Sequence, residues 1–241
     1  MSKLLFLFLL FFATSVFCQS FLAVDDRVAN YPKFNSVQDL GIRIQNDFDS
    51  DVNRVRAAFT WIALNLEYKK TLDEVFEPGK RLLYLSEYVK KQQIRKLELE
   101  KLTNAFKNKR GVCIEFSLML NELCAQFGLQ SKVIPGVLKT AIKNLKGKTE
   151  YKNHAWNAVL VDGKWKLMDV TLASGYWNNR TDRFVRKFED HFFFTSPEDF
   201  MTNHYPANDE WQLSDKPLGL KAFFGSPIYY PQYFSNKVKL A

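Results

Sequence analysis

The chain has few of the residues that build disulfide scaffolds or metal centres. Its 241 residues include three cysteines and three histidines. The histidines, His154, His191 and His204, show no spacing typical of metal ligands. Its 10 glycines and 8 prolines exclude a collagen-like chain, and the sequence shows neither internal repeats nor low-complexity segments. We therefore expect no metal and no cofactor.

The composition that remains is that of a globular protein. Hydrophobic residues make up 46% of the chain and charged residues 25%, which excludes a disordered chain and a multispanning membrane protein. The length suits one domain of about 200 residues. The net charge of +8 is spread along the chain, so we expect no nucleic-acid partner.

The first 18 residues resemble a secretory signal peptide. Lys3 is followed by an apolar run and by a short segment that ends at Cys18, which is the order of regions in such a peptide. The uncharged stretch 4–18 contains 15 residues, whereas a membrane span needs about 18 to 20. We expect export, periplasmic or secreted, with cleavage after Cys18. A membrane anchor and a lipid-modified Cys18 are the less favoured alternatives.

Hydrophobic periodicity and turn residues predict the order of elements after an irregular lead-in over 19–50. Apolar residues recur at helical spacing over 51–67, which predicts a core helix. Asp162 and Gly163 form the dipeptide favoured in two-residue type I′ turns, and strands flank it on both sides. The remaining predictions are a charged helical stretch over 82–108, a strand over 131–137, a basic surface loop over 138–152, and hairpin strands over 155–161 and 164–170.

The most basic stretch of the sequence covers residues 69–110. It carries twelve basic residues against six acidic ones. Such a stretch is usually a solvated helical face, and the alternative is a weak contact with an anionic surface.

Two cysteines, Cys113 and Cys124, remain after the predicted cleavage. Apolar residues at helical spacing and a stop at Gly128 predict one helix between them. Eleven residues of helix separate the sulfurs by about 16 Å, whereas a disulfide needs Cα atoms within about 7 Å. The two cysteines therefore cannot pair. Cys124 is interpreted as a buried hydrophobe, whereas Cys113 lies at the helix start, where backbone N–H groups favour a thiolate.

The predicted hairpin brings a histidine close to an aspartate. With a two-residue turn, opposed residue numbers sum to 325, so Trp156 faces Asp169 and His154 faces Thr171. His154 is then a diagonal neighbour of Asp169 on the face expected to pack on the core. A carboxylate in that position orients an imidazole and stabilises its cation. Cys113 is the candidate nucleophile that would complete a triad.

Each of these residues also has a structural interpretation. A cysteine at a helix start is usually structural, a histidine on an apolar strand is usually a hydrogen-bonded core residue, and Asp169 could cap a turn. Their conjunction is what favours catalysis. The Cys113 N–H is one candidate oxyanion donor, and the sequence selects no second donor. Trp61, Trp156 and Glu115 are the candidates for the cleft.

Three motifs resemble those of the transglutaminase-like superfamily. They are RGVC at 110–113, NHAWN at 153–157 and GKWKLMDVT at 163–171, and they stand in the order and spacing of that family. Two flanking segments, 56–63 and 193–213, resemble its kyphoscoliosis-peptidase-type branch. The resemblance covers residues 51–213 as one domain and leaves 214–241 as an extension packed on the core.

The resemblance implies a papain-like α+β fold in which a cysteine-bearing helix packs on an antiparallel sheet. It also implies that Cys113, His154 and Asp169 are the triad of a thiol enzyme. Such an enzyme acts on protein or peptide amide bonds through a thioester, as a peptidase or an acyl transferase. Glu115 and Leu172 depart from the residues that many relatives carry. Because some members are not known to be enzymes, a non-catalytic peptide- or protein-binding module is the alternative.

Overall fold

The computed structural model describes residues 21–70, 86–139, 153–229 and Tyr233. The predicted signal peptide and most of the predicted loop 138–152 lie outside these ranges. The helices are α1 (including 21–29), α2 (Val37–Asp47), α3 (Asp51–Asn65), α4 (Glu87–Asn108), α5 (Cys113–Gln126), α6 (Val170–Ser174), α7 (Pro197–Phe200) and α8 (Leu220–Gly225). Within the described residues, no helix combines the length and apolarity that a membrane crossing requires.

The strands within the described ranges form one four-stranded sheet and two small pairs. They are β1 (Glu67–Tyr68), β2 (Arg110–Gly111), β3 (Ser131–Leu138), β4 (His154–Val161), β5 (Lys164–Met168), β6 (Gly175–Asn178), β7 (Arg183–Arg186) and β8 (His204–Pro206). The main sheet has the antiparallel order β5-β4-β3-β8. Helix α5 packs on β3 and β4, which confirms the predicted arrangement of a cysteine-bearing helix on an antiparallel sheet.

The predicted hairpin is present with the predicted register over most of its length. The turn residues Asp162 and Gly163 have φ values of +50° and +71°, as a type I′ turn requires. The pairing of β4 with β5 ends at Asn157 and Met168. The next residue, Asp169, leaves the strand to cap α6. The predicted pairs of Trp156 with Asp169 and of His154 with Thr171 are therefore absent from the ladder.

The face of β4 that carries His154 and Trp156 is buried, as predicted, and the opposite face is buried as well. The opposite face carries Val159 and lies against α5, where the Asn157 side chain donates to Ser117 O at 3.0 Å. The face with Trp156 packs in a second, smaller cluster with Phe200. A strand covered on both sides loses the alternation of apolar and polar residues that identifies a half-exposed strand.

The lead-in is helical, which corrects the prediction of an irregular stretch over 19–50. Val24 and Val28 of α1 and Leu40 and Ile44 of α2 belong to the same buried cluster as α3 and α5. Ser36 caps α2 by accepting a hydrogen bond from a backbone N–H of its first turn. Each helix is short and contributes few apolar residues, which explains why periodicity did not reveal it.

The described part of the C-terminal segment packs on the sheet edge. Phe223 of α8 is fully buried with Val137 and Tyr205. The buried Lys139 ammonium donates to Phe223 O at 2.8 Å and to Ser226 Oγ at 2.7 Å. These contacts join α8 to the end of β3.

Candidate active site

Cys113 is the first residue of helix α5. The preceding residue, Val112, has an extended backbone, and its N–H donates to the Glu115 carboxylate at 2.7 Å. Glu115, which the sequence placed near the cleft, thus caps the helix from within. The Cys113 side chain is fully buried. Its place in the first turn puts the sulfur at the positive end of the helix dipole.

His154 and Asp169 form a buried pair. His154 Nε2 lies 2.6 Å from Asp169 Oδ2, and the two residues are 5% and 0% exposed. Burial opposes a charged imidazole, but the electrostatic and hydrogen-bond interactions with Asp169 and Cys113 outweigh it and raise the pKa of His154 to about 10. Burial likewise opposes the carboxylate, and His154 nevertheless holds the pKa of Asp169 well below its usual range. At neutral pH the pair is an imidazolium and a carboxylate.

A second histidine shares the same carboxylate oxygen. His204 Nε2 lies 3.0 Å from Asp169 Oδ2, and its Nδ1 lies 3.1 Å from Phe200 O. Burial lowers the pKa of His204, so its ring is neutral and carries one N–H. We place that hydrogen on Nε2 because a carboxylate is a stronger acceptor than a carbonyl. With the N–H groups of Thr171 and Leu172 on Oδ1, the buried Asp169 accepts four hydrogen bonds.

Sequence reasoning did not assign His204 to the site. The residue is 35 positions from Asp169, and it reaches the site because β8 pairs with β3, which aligns His204 with Leu138. Its ring stacks on Phe200 with centroids 3.9 Å apart. The one sequence signal for it was its position inside the flanking segment 193–213.

Tyr68 is the other residue that sequence reasoning missed. The parallel pairing of β1 with β2 aligns it with Gly111, two residues before Cys113. Burial raises the pKa of Tyr68 to about 12, and the charges of Cys113 and Asp169 add to this effect. The phenol is therefore protonated at neutral pH. No periodic pattern predicts so short a parallel pair.

The remaining cleft candidates lie in different environments. Trp156 is fully buried, with its ring 6.2 Å from that of His154. The part of the chain that the structure describes offers no hydrogen-bond partner to its indole N–H. Trp61 is stacked on Phe106 at 5.3 Å within the main core. The structure therefore places Trp156 beside His154 and Trp61 in the core rather than in the cleft.

The convergence of His154, Asp169 and His204 also bears on the expectation of no metal. Their ligand atoms lie within 4.8 Å of one another, which is close enough to hold an ion. The sequence spacing did not predict this convergence. The contacts of 2.6 and 3.0 Å have hydrogen-bond lengths, and they satisfy the carboxylate through protons.

Cys124 lies near the other end of α5, in the main core. Within the described ranges both cysteines are free, which confirms the prediction that they do not pair. Burial raises the pKa of Cys124 to about 12, so its thiol is protonated at neutral pH. Cys124 is therefore an internal control for any reaction of Cys113.

Comparisons with known proteins agree with these features. The family model of the transglutaminase-like superfamily matches residues 38–170, more than half of the chain. Kyphoscoliosis peptidase from Mus musculus is 29% identical over 196 residues, which are 80% of this chain and 26% of that protein. The Homo sapiens protein of the same name is 25% identical over 227 residues, 92% of this chain and 31% of that protein.

The chain therefore spans about a third or less of the length of these curated relatives. A solved crystal structure of a TGase aligns with a TM-score of 0.35 and 20% identity, covering 70% of this chain and 35% of that one.

Proposed function

Because the chain belongs to the transglutaminase-like superfamily, we propose that it is an exported thiol enzyme acting on amide bonds of proteins or peptides. In this proposal Cys113 is the nucleophile, His154 exchanges the proton and Asp169 orients His154. The observation that carries the proposal is the buried 2.6 Å contact between His154 and Asp169. The His154 imidazole also interacts with Cys113 at the start of α5. The proposed export rests on segment 1–18 alone.

The arrangement supports a two-step reaction. The Cys113 thiolate attacks the amide carbonyl carbon, and the His154 imidazolium donates its proton to the leaving amine as the C–N bond breaks. This leaves a thioester on Cys113 and a neutral His154. Water or a second amine then attacks the thioester and gives its proton to His154, and the Cys113 thiolate leaves. Water makes the enzyme a peptidase, and an amine makes it an acyl transferase.

The backbone supports one further role. The Cys113 N–H lies in the first turn of α5, where helix N–H groups have no partner within the helix. It is the proposed oxyanion donor, as the sequence suggested.

The stretch 69–110, which includes α4, is the proposed site of weak contact with anionic surfaces.

One observation favours a second candidate function. Cys113 is completely buried, so substrate reaches its sulfur only if neighbouring groups move. A binding module that grips an extended peptide and keeps the three residues as a buried polar network would show the same burial. The two candidate functions differ in whether Cys113 forms a thioester with a substrate and releases a product.

Products from a peptide library distinguish the two candidates. We expect the wild-type protein and Cys124→Ala to yield new peptide termini, or adducts of an added fluorescent primary amine, detected by mass spectrometry. Cys113→Ala should yield neither, because the other described thiol, Cys124, is protonated and lies in the main core. Equal product from Cys113→Ala would contradict the assignment. A wild-type protein that binds peptides without product would favour the binding module.

A further inference from the structure

A cavity of about 290 Å³ lies directly beside His154. Its wall includes the imidazole and is otherwise dominated by aromatic and aliphatic side chains. The apolar lining residues include Tyr68, Leu172, Trp177 and Phe184. A ligand in this cavity would therefore contact the proposed proton-exchanging residue on one side and an apolar surface on the others.

The aromatic wall is built by the β6–β7 hairpin. Trp177 and Phe184 are direct cross-strand partners, so their side chains lie on the same face. The Trp177 indole donates to Asp182 Oδ1 at 3.1 Å, and Lys70 Nζ lies 3.0 Å from the same oxygen. The Lys70 ammonium also lies 5.3 Å from the Trp177 ring centroid. These contacts hold the ring in place, so the wall exists before a ligand arrives.

One polar group of the cavity lacks a partner. The hydroxyl of Thr171 is buried, and none of the described residues gives it a hydrogen bond. Thr171 lines the same cavity, and its backbone N–H is already used by Asp169. A buried hydroxyl without a partner is uncommon in folded proteins. A ligand amide in the cavity would supply the missing bond.

We propose that this cavity binds one large apolar side chain of the substrate, aromatic or branched aliphatic, next to the reacting amide. Thr171 Oγ1 would then bond a backbone group of the same substrate residue. This inference rests on the proposed function, because it gives that function a substrate class. Ligand pockets span about 300 to 1,000 Å³, so a volume of 290 Å³ fits one side chain rather than several.

The lining also disfavours charged side chains. Apart from the His154 cation and two phenols, the described lining residues carry no ionisable group. The nearby Lys70 is already paired with Asp182. An ammonium in the cavity would lose its water without gaining a counter-ion. The cation that a carboxylate would meet there, His154, is already paired with Asp169.

Alkylation by amino-acid chloromethyl ketones tests the proposal. In this reaction the Cys113 sulfur displaces chloride and forms a thioether, which intact mass spectrometry measures. We expect the N-acetylphenylalanine reagent to react at least about tenfold faster than the glycine, aspartate and lysine reagents, with each rate divided by that of iodoacetamide. Trp177→Ala should bring the phenylalanine-to-glycine ratio close to one. Tyr88→Ala, which removes an aromatic ring that is 71% exposed on α4, is the matched control and should keep the ratio.

The possible outcomes distinguish a failure of the proposed pocket from a failure of the proposed function of Cys113. Fast iodoacetamide reaction with equal ratios for all side chains would overturn the pocket and leave the proposed function intact. Slow iodoacetamide reaction would contradict the proposed function. In that case, the proposed pocket is tested by the binding of N-acetylphenylalaninamide to Cys113→Ala, measured by tryptophan fluorescence. Saturable binding that Trp177→Ala weakens about tenfold supports the proposal, and binding equal to that of N-acetylglycinamide overturns it.

Discussion

Asp169→Asn is expected to lower turnover by about 10³- to 10⁴-fold. Its Oδ2 accepts hydrogen bonds from both His154 and His204, and an asparagine amide that presents N–H there would force the wrong tautomer on His154. The neutral amide also removes the charge that keeps His154 protonated. The same substitution in a Ser-His-Asp triad costs about 10⁴.

The measurement is the rate of product formation on a peptide identified in the library experiment. Asp215→Asn, at an exposed position, is the control and should retain the wild-type rate. Circular dichroism shows whether the Asp169 variant still folds. A folded Asp169→Asn protein within tenfold of the wild-type rate would contradict the role assigned to the carboxylate.

Arg56→Met is expected to destabilise the protein by about 3 kcal/mol. Arg56 of α3 is 2% exposed and forms a bidentate pair with Asp25 of α1, with distances of 2.8 and 2.6 Å. The Thr60 hydroxyl donates to the same carboxylate. The Arg56 guanidinium also lies within 6 Å of four aromatic ring centroids, those of Phe21, Phe59, Phe188 and Phe193. Methionine fills the space but leaves the Asp25 carboxylate without its cation.

Urea unfolding followed by tryptophan fluorescence measures this effect. Arg27→Met removes an arginine whose side chain is half exposed and paired with Asp47, and it should cost less than about 1 kcal/mol. Arg56→Lys should lie between the two, because lysine keeps the charge but loses the bidentate geometry. An Arg56→Met protein as stable as Arg27→Met would show that α1 is not anchored through this pair.

The parts of the site that depend on local sequence were predictable. The dipeptide Asp162-Gly163 specifies the hairpin turn, and the turn specifies the register that brings His154 towards Asp169. The helix between Cys113 and Cys124 was visible from its apolar spacing. These features are set by residues within one turn or one helix of each other, where geometry follows from spacing alone.

The missed parts depend on pairing between distant segments. His204 reaches Asp169 because β8 adds to the edge of β3, and Tyr68 reaches the cysteine segment because β1 pairs with β2. The sequences of β1 and β8 contain no pattern that predicts which strand each one pairs with. The burial of both faces of β4 was missed for a related reason, because the segment around Phe200 covers the sheet from the second side. Burial on both faces removes the pattern from which a single strand's orientation can be predicted.

The proposed activation of Cys113 by His154 is tested most directly by the pH dependence of alkylation. Peptide-mapping mass spectrometry would follow iodoacetamide labelling of Cys113 and Cys124 from pH 5 to 10, in the wild-type protein and in His154→Ala. We predict that wild-type Cys113 reacts at pH 6 at close to its maximal rate, while Cys124 stays unlabelled. In His154→Ala the reaction should rise only near pH 8.5, as for an ordinary thiol. A Cys113 that reacts as slowly as Cys124, or that reacts identically without His154, would contradict the account.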